Sequence, residues 1–338
     1  MGKGDHSEFD QGLCKEHHFK QKITLQLKRI FMYDIIGDIH GHATILKNLF
    51  DKLGYKKGIN GYFHPERKAV FVGDFTNRGP EIRKTLRTVR QMVEAGNAMA
   101  VLGNHEINNI LYHLRPENDV PLLDIHGKRY LSVTQTIEEF KPYAQEWKEH
   151  RKWLRTLPFF LELEGIRVAH AYWSDSHIRI IKENLPEGKI SKQLFRDLIL
   201  NPHSDLSQAI LQTTRGVHLI LPPDLKIMDH RKRNHRFFRI RWWETPEGKS
   251  FQNWSFESKF RLPNYTIPPE IYPRFEIYPE DAPPLFFGHY CRGRGPFVIR
   301  KNLCCIDSCI TSHKMLSAYR WNGESELDPQ QIVVAGPS

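Results

Sequence analysis

Tyr33-Asp34-Ile35-Ile36-Gly37-Asp38-Ile39-His40-Gly41 is the stretch on which the reading of the fold turns. A short strand-like run, Tyr33 to Ile36, stops at a glycine that is followed at once by an acid and an imidazole. Working outward, Ala43 to Leu53 places Ile45, Leu46, Leu49, Phe50 and Leu53 on one helical face and halts at Gly54. Ala69 to Val72 is a second short buried strand. Pro80 then opens a helix carrying Ile82, Leu86, Val89 and Val93, closed at Gly96, and Ala98 to Leu102 makes a third strand. Strand, helix, strand, helix, strand predicts a parallel α/β sheet.

The same punctuation recurs at each strand end: Gly73-Asp74, Gly103-Asn104-His105-Glu106, His170 after Val168-Ala169, and Gly288-His289. Loops at the carboxyl ends of strands in an open α/β sheet converge on one crevice, so these endings can meet. Asp38 and His40, two apart on an extended segment, aim to one side. The two oxygens of Asp74 can bridge two cations, while Asn104, His170 and His289 add oxygen and nitrogen donors suited to Mn²⁺, Fe or Zn²⁺. A metal pair is an established device for in-line displacement at phosphorus. Arg78, in Asn77-Arg78-Gly79-Pro80, can fork onto phosphate oxygens at a helix start.

Gly-Asp-Ile-His-Gly at 37–41, Gly-Asp-Phe-Thr-Asn-Arg-Gly-Pro at 73–80, Gly-Asn-His-Glu at 103–106, His170 and Gly288-His289 together resemble the calcineurin-like metallophosphoesterases. The resemblance points to their phosphoprotein-phosphatase branch, which includes bacterial PrpE-type and symmetrical dinucleoside tetraphosphatases. It implies a β-sandwich core flanked by helices and two divalent ions, Mn²⁺ first, with Fe, Zn²⁺ or Ni²⁺ as alternatives. Asp38, His40 and Asp74 would hold one ion, and Asp74, Asn104, His170 and His289 the other. A hydroxide bridging the metals would be the nucleophile, His105 would protonate the leaving oxygen, and Arg78 would bind the phosphoryl group. Two positions depart from the pattern. Asn77 stands where the branch usually has Asp, and is expected to accept a hydrogen bond from His105 without supplying charge. Cys291 stands where many relatives have a second His, and is expected not to be a ligand.

The chain has 338 residues, 40% hydrophobic and 26% charged, which excludes disordered, collagenous and coiled-coil classes. Lys and Arg number 49 against 39 Asp and Glu, a net charge of +10 that suggests an anionic partner. Five cysteines do not make a small secreted disulfide framework, so a reducing, cytoplasmic setting is expected, with Cys304, Cys305 and Cys309 as buried strand residues. The apolar stretch Ile23 to Ile36 is interrupted by Lys28, Arg29 and Asp34, so no membrane span is expected. Residues 1–31 read as a polar, His-rich extension. Residues 32–172 and 285–338 read as the core, with a cap or substrate subdomain inserted at 173–284 that ends in a Pro-rich return.

Within that insert, His230 to Trp243 interleaves Arg231, Lys232, Arg233, Arg236, Arg239 and Arg241 with Phe237, Phe238, Trp242 and Trp243, a pairing suited to phosphate plus stacked base. Arg239 and Arg241, and Arg292 and Arg294 just past His289, are candidate substrate contacts. The function expected is two-metal hydrolysis of a nucleotide-type substrate such as a symmetrical dinucleoside tetraphosphate. The alternatives are a Ser/Thr protein phosphatase acting on phosphoprotein, or a nucleic-acid-binding protein whose phosphatase centre has decayed around Asn77. Large nucleic acid is the weaker meaning of the charge.

Overall fold

The structure is a computed structural model that describes residues 32–114, 133–186, 190–223, 227–229, 232, 234–256, 262–291 and 296–337. The expected extension at 1–31, Arg292, Arg294, and the basic residues Lys226, Arg231 and Arg233 lie outside them.

Strand β1 (Met32–Ile36) leads through α1 (Ala43–Leu53) to β2 (Arg67–Phe71), and α2 (Ile82–Glu94) leads to β3 (Ala98–Ala100). These three strands are parallel, as the alternation predicts, with Ile35 opposite Val70 and Val70 opposite Met99. Helix α1 buries the predicted face and ends where Gly54 takes φ 85°, a left-handed cap that glycine adopts without steric cost. The first N–H groups of α2, at Ile82 and Arg83, donate to the Glu139 carboxylate from α4 (Thr134–Phe140), so the donors left open at a helix start are satisfied. Between them, α3 (Asn104–Tyr112) begins inside the Gly-Asn-His-Glu motif, and α5 (Ala144–Leu154) follows α4.

The second half supplies β4 (Phe160–Leu163), β5 (Ile166–Ala169), β6 (Leu285–Phe287), β7 (Phe297–Arg300), β8 (Leu303–Cys305), β9 (Leu316–Trp321) and β10 (Ile332–Ala335). Two five-stranded sheets result, ordered β10-β9-β1-β2-β3 and β7-β8-β6-β5-β4. Their facing sides enclose Tyr33, Ile35, Val70 and Val72 from one sheet and Val168, Phe286, Cys304 and Ile306 from the other. Alternation sends Ile36, Ala69 and Phe71 to the outer face, under the helices. This is the helix-flanked sandwich. No helix among the described residues is long and apolar enough to cross a membrane.

Residues 173–284 carry α6 (Asp175–Asn184), α7 (Lys192–Leu200) and α8 (Asp205–Arg215), then short strand pairs. Their apolar side chains complete cores that the sheets begin. Ile181, Phe195 and Ile210 join the helical layer, while Phe238, Trp242 and Trp254 cover the outer face of the second sheet with Phe287 and Cys305.

The cysteines divide. Cys304 and Cys305 are buried on β8 and face opposite cores, as expected. Cys309 is not a strand residue. The strand ends at Cys305, and Cys309, at φ 57°, forms a disulfide with Cys291, with Cα atoms 5.0 Å apart. A strand pattern cannot register a partner 18 residues away in sequence.

Candidate active site

The parallel strands deliver their loops to one end of the sandwich, where backbone hydrogen bonds lace them together. The N–H groups of Ile39 and His40 donate to the carbonyl of Asp74, at 3.2 and 2.8 Å, and Gly41 N–H donates to Phe75. Glu106 binds the next layer. Its carboxylate accepts the N–H groups of Asp74 (2.8 Å), Phe75 (2.9 Å), Thr76 (3.0 Å) and Gly103 (3.1 Å), and the Thr76 hydroxyl. Burial pushes Glu106 up to about 7, against the pull of Thr76's hydroxyl and N–H. The sequence reading gave Glu106 no role. The signal was its place three residues after Gly103 at a helix start, the acidic half of a capping box.

The turns are strained. Eight non-glycine residues among those described have positive φ, and five of them are His40, Asp74, Asn77, Arg78 and His289. Such conformations persist only where surrounding contacts over-determine them, and they cluster at functional sites. Packing is equally tight: a Cβ on Gly288 would overlap an Asp38 carboxylate oxygen, and one on Gly103 would overlap Asp74 Oδ1.

Asp74 is the centre. His40 Nε2 lies 3.6 Å from Asp74 Oδ2, and His170 Nε2 lies 3.4 Å from Asp74 Oδ1 and 3.2 Å from Asn104 Oδ1. The outer nitrogens of both rings are engaged by backbone carbonyls, His40 Nδ1 by Thr76 (3.1 Å) and His170 Nδ1 by Val72 (2.7 Å). A carbonyl only accepts, so each Nδ1 carries a proton; His40, neutral, turns an Nε2 lone pair towards Asp74, whereas His170 Nε2 faces two oxygens and carries a proton where no cation takes its place. Arg78 Nη1, which can only donate, lies 3.3 Å from His40 Nε2 and agrees with that tautomer. Lone pairs facing carboxylate oxygens at such distances repel unless a cation or proton lies between them. Burial opposes charging His170, yet Asp74 and Asp38 outweigh it and hold the ring up to about 10. Burial, followed by Asp307, pushes the Asp38 carboxyl well above the usual carboxylate range.

The donor atoms fall into two groups that share Asp74: His40, Asp74 and His105, and Asp74, His170 and His289, each within 4.8 Å. Mixed nitrogen and oxygen donors, a shared carboxylate and buried uncompensated acids fit a pair of divalent cations. Asp38 accepts the His289 N–H at 3.1 Å, which ties the first loop to the last. A third group, Cys291, Asp307 and Cys309, has its two sulfurs joined in the disulfide and so offers no thiolates.

Asn77 meets His105 in the reverse sense to that expected. Asn109 Nδ2 donates to the His105 carbonyl (2.9 Å) and so must also donate to Asn77 Oδ1 (3.1 Å), while the Thr136 hydroxyl donates to that same oxygen at 2.5 Å. With its oxygen committed, Asn77 turns Nδ2 to His105 Nδ1, 2.7 Å away, and donates. His105 therefore holds its proton on Nε2, 4.0 Å from Asp74 Oδ2, and burial keeps the ring neutral, down to about 4. Asn109 and Thr136 lie 32 and 59 residues from Asn77, outside any motif spacing.

A cavity of about 800 Å³ opens above these groups, lined by Asp38, His40, Asp74, Arg78, Asn104 and His289 on its floor. Arg239 lines it as well, its Nη1 donating to the His289 carbonyl at 2.7 Å. Arg241 is not among the lining residues; it lies 3.5 Å from Glu244. Phe238, Trp242 and Trp243 are core rather than stacking surface, buried with Phe287 and Tyr290. Arg215, His218, Arg274 and Asp307 also line the cavity without having been singled out in the sequence.

Residues 33–290 match the family described as calcineurin-like phosphoesterase. The bis(5'-nucleosyl)-tetraphosphatase PrpE [asymmetrical] of Geobacillus sp. (strain WCH70) is 36% identical over 146 residues, 41% of this chain and 56% of that protein. The protein of the same name from Oceanobacillus iheyensis is 36% identical over 161 residues, 47% of this chain and 59% of its own length. The chain thus spans a little over half the length of these relatives. A cold-active protein-tyrosine phosphatase of a psychrophilic Shewanella is similar over 87% of this chain and 76% of its own, at 15% identity and a TM-score of 0.47.

Proposed function

Because the chain belongs to the calcineurin-like phosphoesterase family, we propose that it is a metal-dependent hydrolase of phosphoester and phosphoanhydride bonds, acting on a dinucleoside polyphosphate. The observation that carries this reading is Asp74, set between two groups of inward-facing imidazole nitrogens with an oxygen directed at each. Asp38, His40 and Asp74 would hold one cation, and Asp74, Asn104, His170 and His289 the other, with Mn²⁺ as the first candidate. Bound there, the cations would polarise the phosphoryl group and acidify a water molecule.

The chain's own residues do the rest. Arg78, at the mouth of the floor, forks onto non-bridging phosphoryl oxygens. His105 presents Nε2–H and donates a hydrogen bond to the departing oxygen, which takes its proton from water, while Asn77 keeps the ring in that donating tautomer by occupying Nδ1. The PrpE names refer to tetraphosphate hydrolysis and carry the qualifier "asymmetrical", where the motifs alone had suggested a symmetrical substrate.

The test is turnover of an aryl phosphate across Mn²⁺, Fe²⁺, Zn²⁺ and Ni²⁺, then of diadenosine tetraphosphate against phosphopeptides, with products separated to locate the cleaved bond. Metal-dependent turnover that vanishes in Asp74→Asn and favours the dinucleotide is the expected result. Inertness to every phosphate ester overturns the hydrolase reading, and preference for phosphopeptides overturns the substrate.

A further inference from the structure

One strand pair in the insert has features that core packing does not require. His218–Ile220 and Phe237–Arg239 run antiparallel, with Phe237 opposite Ile220, Phe238 opposite Leu219 and Arg239 opposite His218. Leu219 and Phe238 are fully buried. The alternate residues His218, Ile220, Phe237 and Arg239 share the other face, and all four line the cavity above Asp74. Ile220 is 72% exposed and Phe237 51%, in a chain that buries most of its large aromatic side chains. His218 stands edge-on to the Phe237 ring, centroids 5.2 Å apart at 85°.

The face has a direction. Arg239 is tied to the His289 carbonyl, beside the proposed metal ligands, with its guanidinium 5.1 Å from the Tyr290 ring centre. Two residues outward along the strand, about 7 Å, stands Phe237. Arg215 and Arg274 line other walls of the same cavity. Positive charge therefore lies near the floor and an aromatic and aliphatic surface near the rim. That order matches a nucleoside polyphosphate, anionic at one end and flat and π-faced at the other. The cavity, at about 800 Å³, is far larger than one phosphoryl group needs and falls in the range of sites that enclose a whole small ligand.

We propose that this strand pair is a nucleobase platform: the base of a nucleoside polyphosphate stacks on Phe237, flanked by Ile220 and His218, and its phosphate chain runs past Arg239, Arg215 and Arg274 to the Asp74 centre. The assignment rests on the phosphoesterase reading and adds the residues that choose among phosphate esters. A phosphopeptide would need no ring-sized apolar surface beside several cations.

The experiment compares ADP with inorganic pyrophosphate, which has the same phosphates and no base, as competitors of aryl phosphate hydrolysis by the metal-loaded protein. ADP is expected to bind at least about tenfold tighter than pyrophosphate. Phe237→Ala should bring that ratio close to one and Phe237→Trp should retain it, while Tyr265→Ala, an exposed ring outside the cavity, should leave it at the wild-type value. An equal affinity for the two competitors in the wild type, or a ratio unmoved in Phe237→Ala, overturns the platform. A phosphopeptide that outcompetes ADP and depends on Phe237 overturns the nucleotide assignment. Should the wild type hydrolyse nothing, the same ratio is read by equilibrium dialysis, so the platform stands or falls apart from the hydrolase.

Discussion

The floor and the wall of the cavity are built on opposite plans. The floor, from Gly37 to Glu106, comes from loops that each follow a parallel strand, and backbone hydrogen bonds and one buried carboxylate hold them in strained turns. The wall, from Arg215 to Arg239 with Pro273, Arg274 and Cys291, is assembled from a strand pair, an extended Pro-rich return and a disulfide. A floor of this kind fixes atoms to one geometry, which chemistry at phosphorus requires. A wall of the second kind can change its side chains without disturbing the floor, which is what selecting a substrate requires.

The largest expected effect falls on the floor's centre. Asp74→Asn keeps the shape but removes the shared charge, so turnover of an aryl phosphate should fall at least about 10³-fold and bound metal, counted by elemental analysis, should drop with it. Full metal content with normal turnover would remove Asp74 from the centre. Next is Glu106→Gln, which turns an amide NH₂ towards N–H donors that the carboxylate had satisfied. Denaturant unfolding should show a loss of about 3 kcal/mol, and a near-wild-type midpoint would mean the clamp is dispensable.

His150, buried on α5 beside Phe140 and Glu146, away from both regions, adds a test through pH. Burial holds it down to about 4, from an ordinary 6.5, so the folded ring stays neutral while the unfolded chain takes up a proton below 6.5. Its contribution to stability should therefore be level above that pH and fall between 6.5 and 4. The gap between wild type and His150→Gln should narrow by about 2 kcal/mol over that interval; parallel pH curves would show that the ring does not titrate there. Smaller again is Asn77→Asp. The carboxylate would accept from Asn109, Thr136 and a protonated His105 Nδ1, so turnover should rise about tenfold, whereas an unchanged or lower rate would show that the donating amide suits the site better than charge.

The smallest effect tests the wall. Cys309 has φ 57°, which glycine adopts freely. With Cys291→Ser in both, a chain bearing Cys309→Gly should be about 1 kcal/mol more stable than one bearing Cys309→Ser. Equal midpoints would show that the turn is unstrained once the tie is gone.

This contrast also explains what could be read in advance. Gly37-Asp38, Gly73-Asp74, Gly103-Asn104 and Gly288-His289 each announce a strand end and a donor within a few residues, and His170 closes the run Val168-Ala169, so the six proposed ligands and the parallel core were legible. The wall depends on meetings that no local pattern records. Arg239 faces the cavity and Phe238 the core only because of a register with residues 218–220, and Arg241, equally basic, lies beyond that register beside Glu244. The bond between Cys291 and Cys309, and the orientation of Asn77 by Asn109 and Thr136, likewise join residues far apart in sequence.

One pairing has a consequence for how the chain is made. β1, the strand that leads into the Asp38 loop, lies between β2 and β9, with Tyr33 opposite Trp321 and Arg320 reaching back 286 residues to Asp34. During synthesis β1 can pair with β2 early, but its other edge waits, its N–H and C=O groups unpaired, until residues 318–321 have left the ribosome. Contacts at such separation form slowly, and an open edge invites pairing with other chains. Truncations that remove Leu316–Trp321 should therefore show themselves first as aggregation in expression, before any assay of the site could be run.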